Sequence, residues 1–311
     1  MTTRTDMRIG VDLGGTKIEA IALDDAGAVL LRRRVTTPAG DYGRILSAIA
    51  DLVTVLEREL GRRGTVGIAM PGAISKKTGR IKNANTVVLN GQPLEADIAE
   101  ALARPVRLEN DANCFALSEA VDGAAASAKV VFGVILGTGV GGGLVVDGHI
   151  ITGRNGVAGE WGHNPLPWAR AEDQGHPCYC GKVGCIETFL SGPGLALDYR
   201  TRSGKNLGAN DLTAQDVVLA AETGDDIAAE CLSVYQDRLG RGLASVINLF
   251  DPDAIVLGGG LSNVTQLYSS LPSIIDKYAF SDGVDTPILR AAHGDSSGVR
   301  GAAWLWPVTM S

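Results

Sequence analysis

Two segments of this chain follow one pattern. GVDLGGTKIEAIALDDAG begins at Gly10, and GVILGTGVGGGLVVDGHI begins at Gly133. Each reads apolar strand, glycine turn, strand, acidic-glycine turn. A period this long is no solenoid. It points to two related α/β halves, each offering a glycine hairpin to a shared cleft. A turn with little side chain lets backbone N–H groups converge on phosphate oxygens. The first turn offers Gly14 and Gly15, with Thr16 and Lys17 as extra donors. The second offers Gly137, Thr138, Gly139, Gly141 and Gly142. A third, LGGGLSN from Leu257, is centred on Gly259. Asp12 lies at a strand end beside the first turn, where a carboxylate can hydrogen-bond the waters a magnesium ion keeps.

Two other phosphate motifs do not fit. No segment matches G-x-x-x-x-G-K-[ST]. Gly137, Gly139 and Gly142 do spell G-x-G-x-x-G, with Glu160 near the spacing of a ribose ligand. That fingerprint must open a helix, whereas Gly143 leads into Leu144-Val145-Val146-Asp147-Gly148, a strand and a turn.

Between the glycine turns the pattern alternates strands and helices. Ile45, Ile49, Leu52, Val53, Leu56 and Leu60 share a helix face. Strands are expected at Val66–Met70, Pro105–Leu108, Lys129–Leu136 and Ala254–Leu257, and helices near Leu94–Ala103, from Ala112, over much of Thr213–Phe250 and after Gly294. Gly153–Gly184 is irregular and too long for a plain connection, which marks it as functional. Arg32, Arg33 and Arg34 read as the solvated end of an edge strand.

LENDAN places Asn110 and Asp111 between a strand and a helix. Asp111 there is either an N-cap or a general base at the C-terminal end of a strand, where α/β clefts bind ligands. Downstream, His163 precedes C-Y-C-G-K-V-G-C by fifteen residues. Three thiolates and one imidazole form a tetrahedral set typical of structural zinc; Cys178, Cys180 and Cys185 supply the sulfurs, and His163 or His176 the nitrogen. A closed set leaves no position for a catalytic water, so the metal would brace the loop. Glu160, His163 and Glu187 flank the loop, and carboxylates suit sugar hydroxyls.

Composition excludes several classes. The net charge of −7 and the lack of a basic run argue against nucleic acid. No apolar run approaches the roughly 20 residues of a membrane helix, and the first residues show no apolar leader. Five cysteines, three of them in one loop, do not resemble an exported disulfide framework; a reducing cytoplasm is expected.

DLGGTK, ENDAN, GTGVGGG, the E-W-G-H at Glu160 and C-Y-C-G-x-x-G-C-I-E together resemble the ROK family of sugar kinases and repressors, from about Arg8 to Trp306. KNANTVVLNGQP, EWGHNPLPW, PCYCGKVGCIETFLSG and HGDSSGVRGAAWLWP resemble its bacterial fructokinases of the manno-fructokinase type. The resemblance implies an actin-like ATPase (ribonuclease H-like) fold, two α/β domains around a central cleft. The division expected is 1–120 with about 290–311, and 121–289 with the zinc loop. It implies Asp111 as catalytic base, sugar contacts from Asn85, Asn110, Asp111, Glu160, His163 and Glu187, and zinc on His163, Cys178, Cys180 and Cys185. It further implies MgATP as phosphoryl donor, fructose as acceptor giving fructose 6-phosphate, and a homodimer. Mannose, glucose or N-acetylglucosamine are alternative acceptors, and a non-catalytic sugar sensor is a different class of answer. Gly72-Ala73-Ile74 and Pro165–His176 differ among branches with different sugars. The family's repressors carry a helix-turn-helix ahead of the kinase-like part; nine residues precede Gly10 here, so no such module is expected.

Overall fold

The computed structural model describes residues 7–204 and 212–306. The residues read above for a leader (1–6) and the end of the proposed first domain (307–311) lie outside the described residues. The first half runs β1 (Arg8–Leu13), β2 (Lys17–Leu23), β3 (Val29–Thr36), α1 (Tyr42–Leu60), β4 (Thr65–Met70), β5 (Ala73–Ile74), β6 (Ile81–Lys82), α2 (Leu94–Leu102), β7 (Arg107–Asn110) and α3 (Asp111–Val121). The second runs β8 (Val130–Leu136), β9 (Val140–Val146), β10 (His149–Ile150), α4 (Ile186–Leu190), α5 (Gly192–Ser203), α6 (Ala214–Glu222), α7 (Asp226–Phe250), β11 (Ala254–Gly258), α8 (Gln266–Asp276), β12 (Ile288–Arg290) and α9 (Ser297–Trp304).

Two five-stranded sheets have matching order, β3-β2-β1-β4-β7 and β10-β9-β8-β11-β12. The repeated segments are the antiparallel hairpins β1-β2 and β8-β9, at equivalent positions in the two sheets. Parallel strands β4 and β11 then pair with β1 and β8. The α/β reading holds: this is the actin-like ATPase fold, with two α/β halves flanking a cleft.

Alternation in β1 explains the layers. Ile9, Val11 and Leu13 pack with Ile45, Ile49 and Leu56 of α1, as period-two burial requires. Helix α1 is delimited locally: the Asp41 carboxylate accepts from the Arg44 amide at 3.0 Å, and Gly61 ends the helix with φ of 66°. The opposite face of β1 has no bulk at Gly10. A Cβ there would lie 1.9 Å from the Val299 carbonyl oxygen, so α9 lies directly on the strand. Helix α3 packs likewise on β8 and β9, where Gly133 faces Ala116. The two helices meet at Gly301, whose missing Cβ would lie 1.7 Å from the Cys114 carbonyl oxygen. The order through the molecule is therefore sheet, α9, α3, sheet.

Several boundaries shift by one or two residues from the sequence reading. The strand expected at Pro105–Leu108 is β7 at Arg107–Asn110, and the helix expected from Ala112 starts at Asp111. The strand register follows pairing with β4, where Met70 stands opposite Asn110; local propensity does not specify such a register. The arginine run lies on edge strand β3, but all three members are paired. Arg32 and Arg34 both bind Glu19, which is 2% exposed, and Arg33 binds Glu59.

Candidate active site

The first glycine turn joins β1 to β2. The Gly14 amide donates to the Lys17 carbonyl at 3.0 Å, and the Thr37 hydroxyl donates to the Gly14 carbonyl at 2.7 Å. Gly15 and Thr16 are left exposed at the tip. The second turn joins β8 to β9, closed by Gly137 N–H to the Gly139 carbonyl at 3.0 Å. Thr138 is exposed at its tip. Gly259 follows β11 with φ of 80°, and a Cβ there would lie 2.5 Å from the Leu136 carbonyl oxygen, so the third turn needs glycine beside the second. Gly141 and Gly142 lie inside β9 rather than in its turn. Their bareness is accounted for by packing: Ala112 Cβ and Trp161 Cδ1 would lie 3.0 and 2.6 Å from the added carbons.

Asp12, the penultimate residue of β1, lies near the start of α9; a Cβ on Gly298 would be 3.7 Å from its Oδ2. Burial pushes the Asp12 carboxyl up to about 7; the charges of Asp111 and Glu19 add to the effect, while Lys17 and Arg34 oppose it.

At the start of α3 the two neighbouring side chains differ in what they bind. Asn110, not Asp111, is the N-cap: its Oδ1 accepts from the Ala112 and Asn113 amides at 2.9 and 3.3 Å. Its Nδ2 donates to the Gly72 carbonyl at 2.9 Å. Asp111 is the first helical residue, and its Oδ1 accepts from the Ala112 amide at 2.9 Å. Its surface is open to solvent, yet protein crowds around it. That crowding pushes the carboxyl up to about 6; bonds from the amides of Ala112 and Asp111 itself resist, and the Glu160 charge adds to the rise.

Beside this helix start is a cavity of about 270 Å³ between the halves. Glu109, Asn110 and Asn113 form one wall, Ala73, Ile74 and Lys76 another, and Thr152, Gly156, Ala158 and Glu160 a third. Asn110 and Glu160 are thus brought together as expected, with Asp111 adjacent. Asn85 is placed elsewhere, on an exposed loop next to Thr86 and the first glycine turn. Glu187 is outside the cavity wall; its Oε2 accepts from the Val140 amide at 2.9 Å, tying α4 to the second glycine turn. Glu109, Asn113 and Lys76 were not singled out in the sequence. Glu109 and Asn113 flank the N-D pair and hydrogen-bond each other at 3.0 Å. Lys76 carries no local signal.

The irregular loop brings His163, Cys178, Cys180 and Cys185 together, their ligand atoms all within 4.8 Å of one another. Cys178 Sγ is 3.5 Å from His163 Nδ1, and Cys180 Sγ is 3.6 Å from Cys185 Sγ. Zinc bonds of about 2.3 Å to sulfur and 2.0–2.1 Å to nitrogen give tetrahedral edges of about 3.5–3.8 Å, so the donor set fits the ion. His176 is not in the cluster; its ring lies against Phe189. The imidazole of His163 divides its two nitrogens: Nδ1 faces the thiols, while Nε2 meets the Tyr179 hydroxyl at 3.0 Å and lies 4.0 Å from Glu160. The loop is anchored behind by Asp173, whose carboxylate takes Arg238 and Arg241 of α7 at 2.8 Å each. Burial works to raise Asp173, but the bonds from Arg241, the Arg170 amide and Arg238 outweigh it and hold the carboxyl at about 2.

Residues 8–308 match the ROK family. The chain is 40% identical over 304 residues to the N-acetyl-D-glucosamine kinase of Vibrio vulnificus (strain YJ016), covering 96% of this chain and 99% of that one. Among solved structures it resembles a ROK hexokinase from Thermus thermophilus, with a TM-score of 0.84, 33% identity and 96% of each chain covered. It also resembles a ROK family glucokinase from Streptomyces griseus, solved in complex with glucose and AMPPNP; there the TM-score is 0.78 and the identity 30%, with 96% of this chain and 98% of that one covered. The Vibrio relative is thus named for N-acetyl-D-glucosamine, not for the fructose read from the sequence segments.

Proposed function

The chain belongs to the ROK family and is a sugar kinase, and from that premise we propose that it transfers the γ-phosphoryl group of ATP to a hydroxyl of N-acetyl-D-glucosamine. The observation that carries the choice of sugar is the whole-length identity to N-acetyl-D-glucosamine kinases. The cavity supports it: Ala73, Ile74 and Ala158 give an apolar wall beside Glu109, Asn110 and Glu160. An acetamido methyl would use such a wall, whereas an unsubstituted hexose carries only a hydroxyl at that carbon. Fructose remains the second reading, favoured by the segments around the cysteine loop.

Asp111 is assigned as general base, accepting the proton of the attacking hydroxyl. Its freedom from capping and its raised affinity for a proton both suit the role. Asn110 holds the helix start and the Gly72 carbonyl, and Glu160 receives sugar hydroxyls. The exposed tips Gly15-Thr16 and Thr138 receive the phosphates, with Lys17 alongside. The charge of Asp111 adds to the raised proton affinity of Asp12, and such a pair of carboxylates would favour a divalent cation with its waters beside the phosphates. A bound magnesium ion would supply charge neutralisation for the transferring group. His163 and the thiols of Cys178, Cys180 and Cys185 would hold a zinc ion that braces the loop, while His163 Nε2 faces Tyr179 and Glu160. Phosphoryl transfer asks mainly for positioning and charge stabilisation.

The division into 1–120 with about 290–311 and 121–289 is part of this reading, supported by the return of α9 to the first sheet. So are a homodimer and a cytoplasmic setting; among the described residues no helix is long and apolar enough to cross a membrane. The test is a coupled assay over N-acetylglucosamine, fructose, glucose and mannose. N-acetylglucosamine should give the highest kcat/KM. A tenfold or greater preference for fructose would replace the sugar but keep the kinase, and no turnover with any of them would make the chain a sensor.

A further inference from the structure

The roof over the cavity comes from both halves. The β5–β6 hairpin supplies Ile74 and Lys76; the loop before Glu160 supplies Thr152, Gly156 and Ala158. The two segments touch: a Cβ on Gly156 would lie 3.7 Å from the Ile74 carbonyl oxygen and 4.0 Å from Lys76 Cε. Two ammonium groups cross the seam. Lys76 Nζ donates to the Gly153 carbonyl, and Lys82 Nζ donates to the Asn155 carbonyl at 3.3 Å. Both bonds run from a side chain of the first half to the main chain of the second, and neither serves the secondary structure of its own half. The loop's own bonds are long: Gly156 N–H to the Gly153 carbonyl (3.4 Å), Ala158 N–H to the Thr152 carbonyl (3.3 Å) and Glu160 N–H to the Val157 carbonyl (3.3 Å).

We propose that Lys76 and Lys82 form a latch across the cleft, and that Lys76 is a positioning residue that sets how long the sugar is retained. This rests on reading the cavity as the sugar site. With the latch made, the hairpin and the loop stay in contact over the bound sugar, and water is kept from the γ-phosphate. To release the sugar the two segments must part, and each ammonium must exchange a carbonyl for water. Both lysines are partly or fully exposed. Each bond is therefore worth less than a buried charge-assisted one, and loss of either should speed dissociation about three- to tenfold.

The experiment uses Lys76→Met, Lys82→Met and the double variant, which keep the aliphatic stems. Stopped-flow displacement of N-acetylglucosamine should show faster dissociation in each, fastest in the double variant. KM for the sugar should rise by more than kcat falls, with KM for ATP little moved. Lys76→Arg should restore the slow rate, because a guanidinium reaches the same carbonyl. Without sugar, amide hydrogen exchange at residues 152–158 should quicken in the methionine variants. A double variant with the wild-type dissociation rate and wild-type exchange overturns the latch, as does a Lys76→Arg variant as fast as Lys76→Met. If the wild type binds no sugar of the panel while exchange still quickens, the latch stands and the assigned substrate falls.

Discussion

Asp111 is held where a carboxylate resists ionisation, and the role of base proposed for it requires the ionised form. The carboxyl is pushed up to about 6, so the base is lost as pH falls through that value. kcat/KM should drop about tenfold per pH unit below about 6, and a flat profile down to pH 5 would remove Asp111 from the chemistry. Asp111→Asn should lower kcat by about 10²–10⁴-fold while sugar binding by calorimetry changes little. The same shift has a consequence for stability. Asp111 and Asp12 hold protons in the folded chain that they would release when unfolded, because both are raised above the usual carboxylate value of 3.8, to about 6 and 7. Folded protein then binds more protons than unfolded protein between about pH 4 and 7, and this contribution is lost as pH rises across that window. Asp12→Asn should therefore raise the Tm of the ligand-free protein at pH 8 relative to wild type, while impairing magnesium-dependent turnover.

The irregular loop is an element with no regular backbone ladder, fixed at two ends by different chemistry. At the front, thiols and an imidazole gather within 4.8 Å. Elemental analysis should find about one zinc per chain. Cys180→Ser should lose it and weaken sugar binding, with MgATP binding largely kept; a zinc-free protein with full activity ends the idea of a brace. At the back, the side chain of Asp173, 1% exposed, joins Arg238 and Arg241. Asp173→Ala leaves two buried guanidinium groups short of a partner and should destabilise by about 3–5 kcal/mol in chemical denaturation. Held at about 2, below its usual 3.8, Asp173 contributes stability present above the usual value and lost as pH falls toward 2. The variant's stability should accordingly depend less on pH in acid. An unaltered acid profile would mean the carboxylate does not anchor the loop.

Across the whole molecule, the halves communicate through two helices in direct contact between the sheets. Gly10, Gly67 and Gly301 are points of close approach, with carbonyl oxygens 1.9, 1.9 and 1.7 Å from where a Cβ would be. These are backbone obstacles, so a methyl cannot be absorbed by a rotamer change. Gly301→Ala should cost at least the about 1–3 kcal/mol typical of overpacking, and since α3 begins at Asp111, kcat should fall with stability. A variant with wild-type Tm and turnover would show that the helices can separate freely.

The sequence alone determined the elements and the chemistry carried by local pattern. The paired glycine hairpins, the apolar face of α1 and the Cys-x-Cys spacing are all set by neighbours within a few residues, so period and spacing reveal them. The clustering of His163 with the three cysteines, and the exclusion of His176, depended on how a long loop folds back. Likewise the N-D pair was visible, but which member caps was decided by β7 pairing with β4, which fixes where the strand stops and the helix starts. Gly141 and Gly142 looked like phosphate glycines, because a sequence does not distinguish bareness for a ligand from bareness for a packed helix or indole ring. Glu109, Asn113 and Lys76 acquire their place only when two halves, distant in sequence, close around one cavity. That closure depends on contacts between residues far apart along the chain, and no local propensity encodes them.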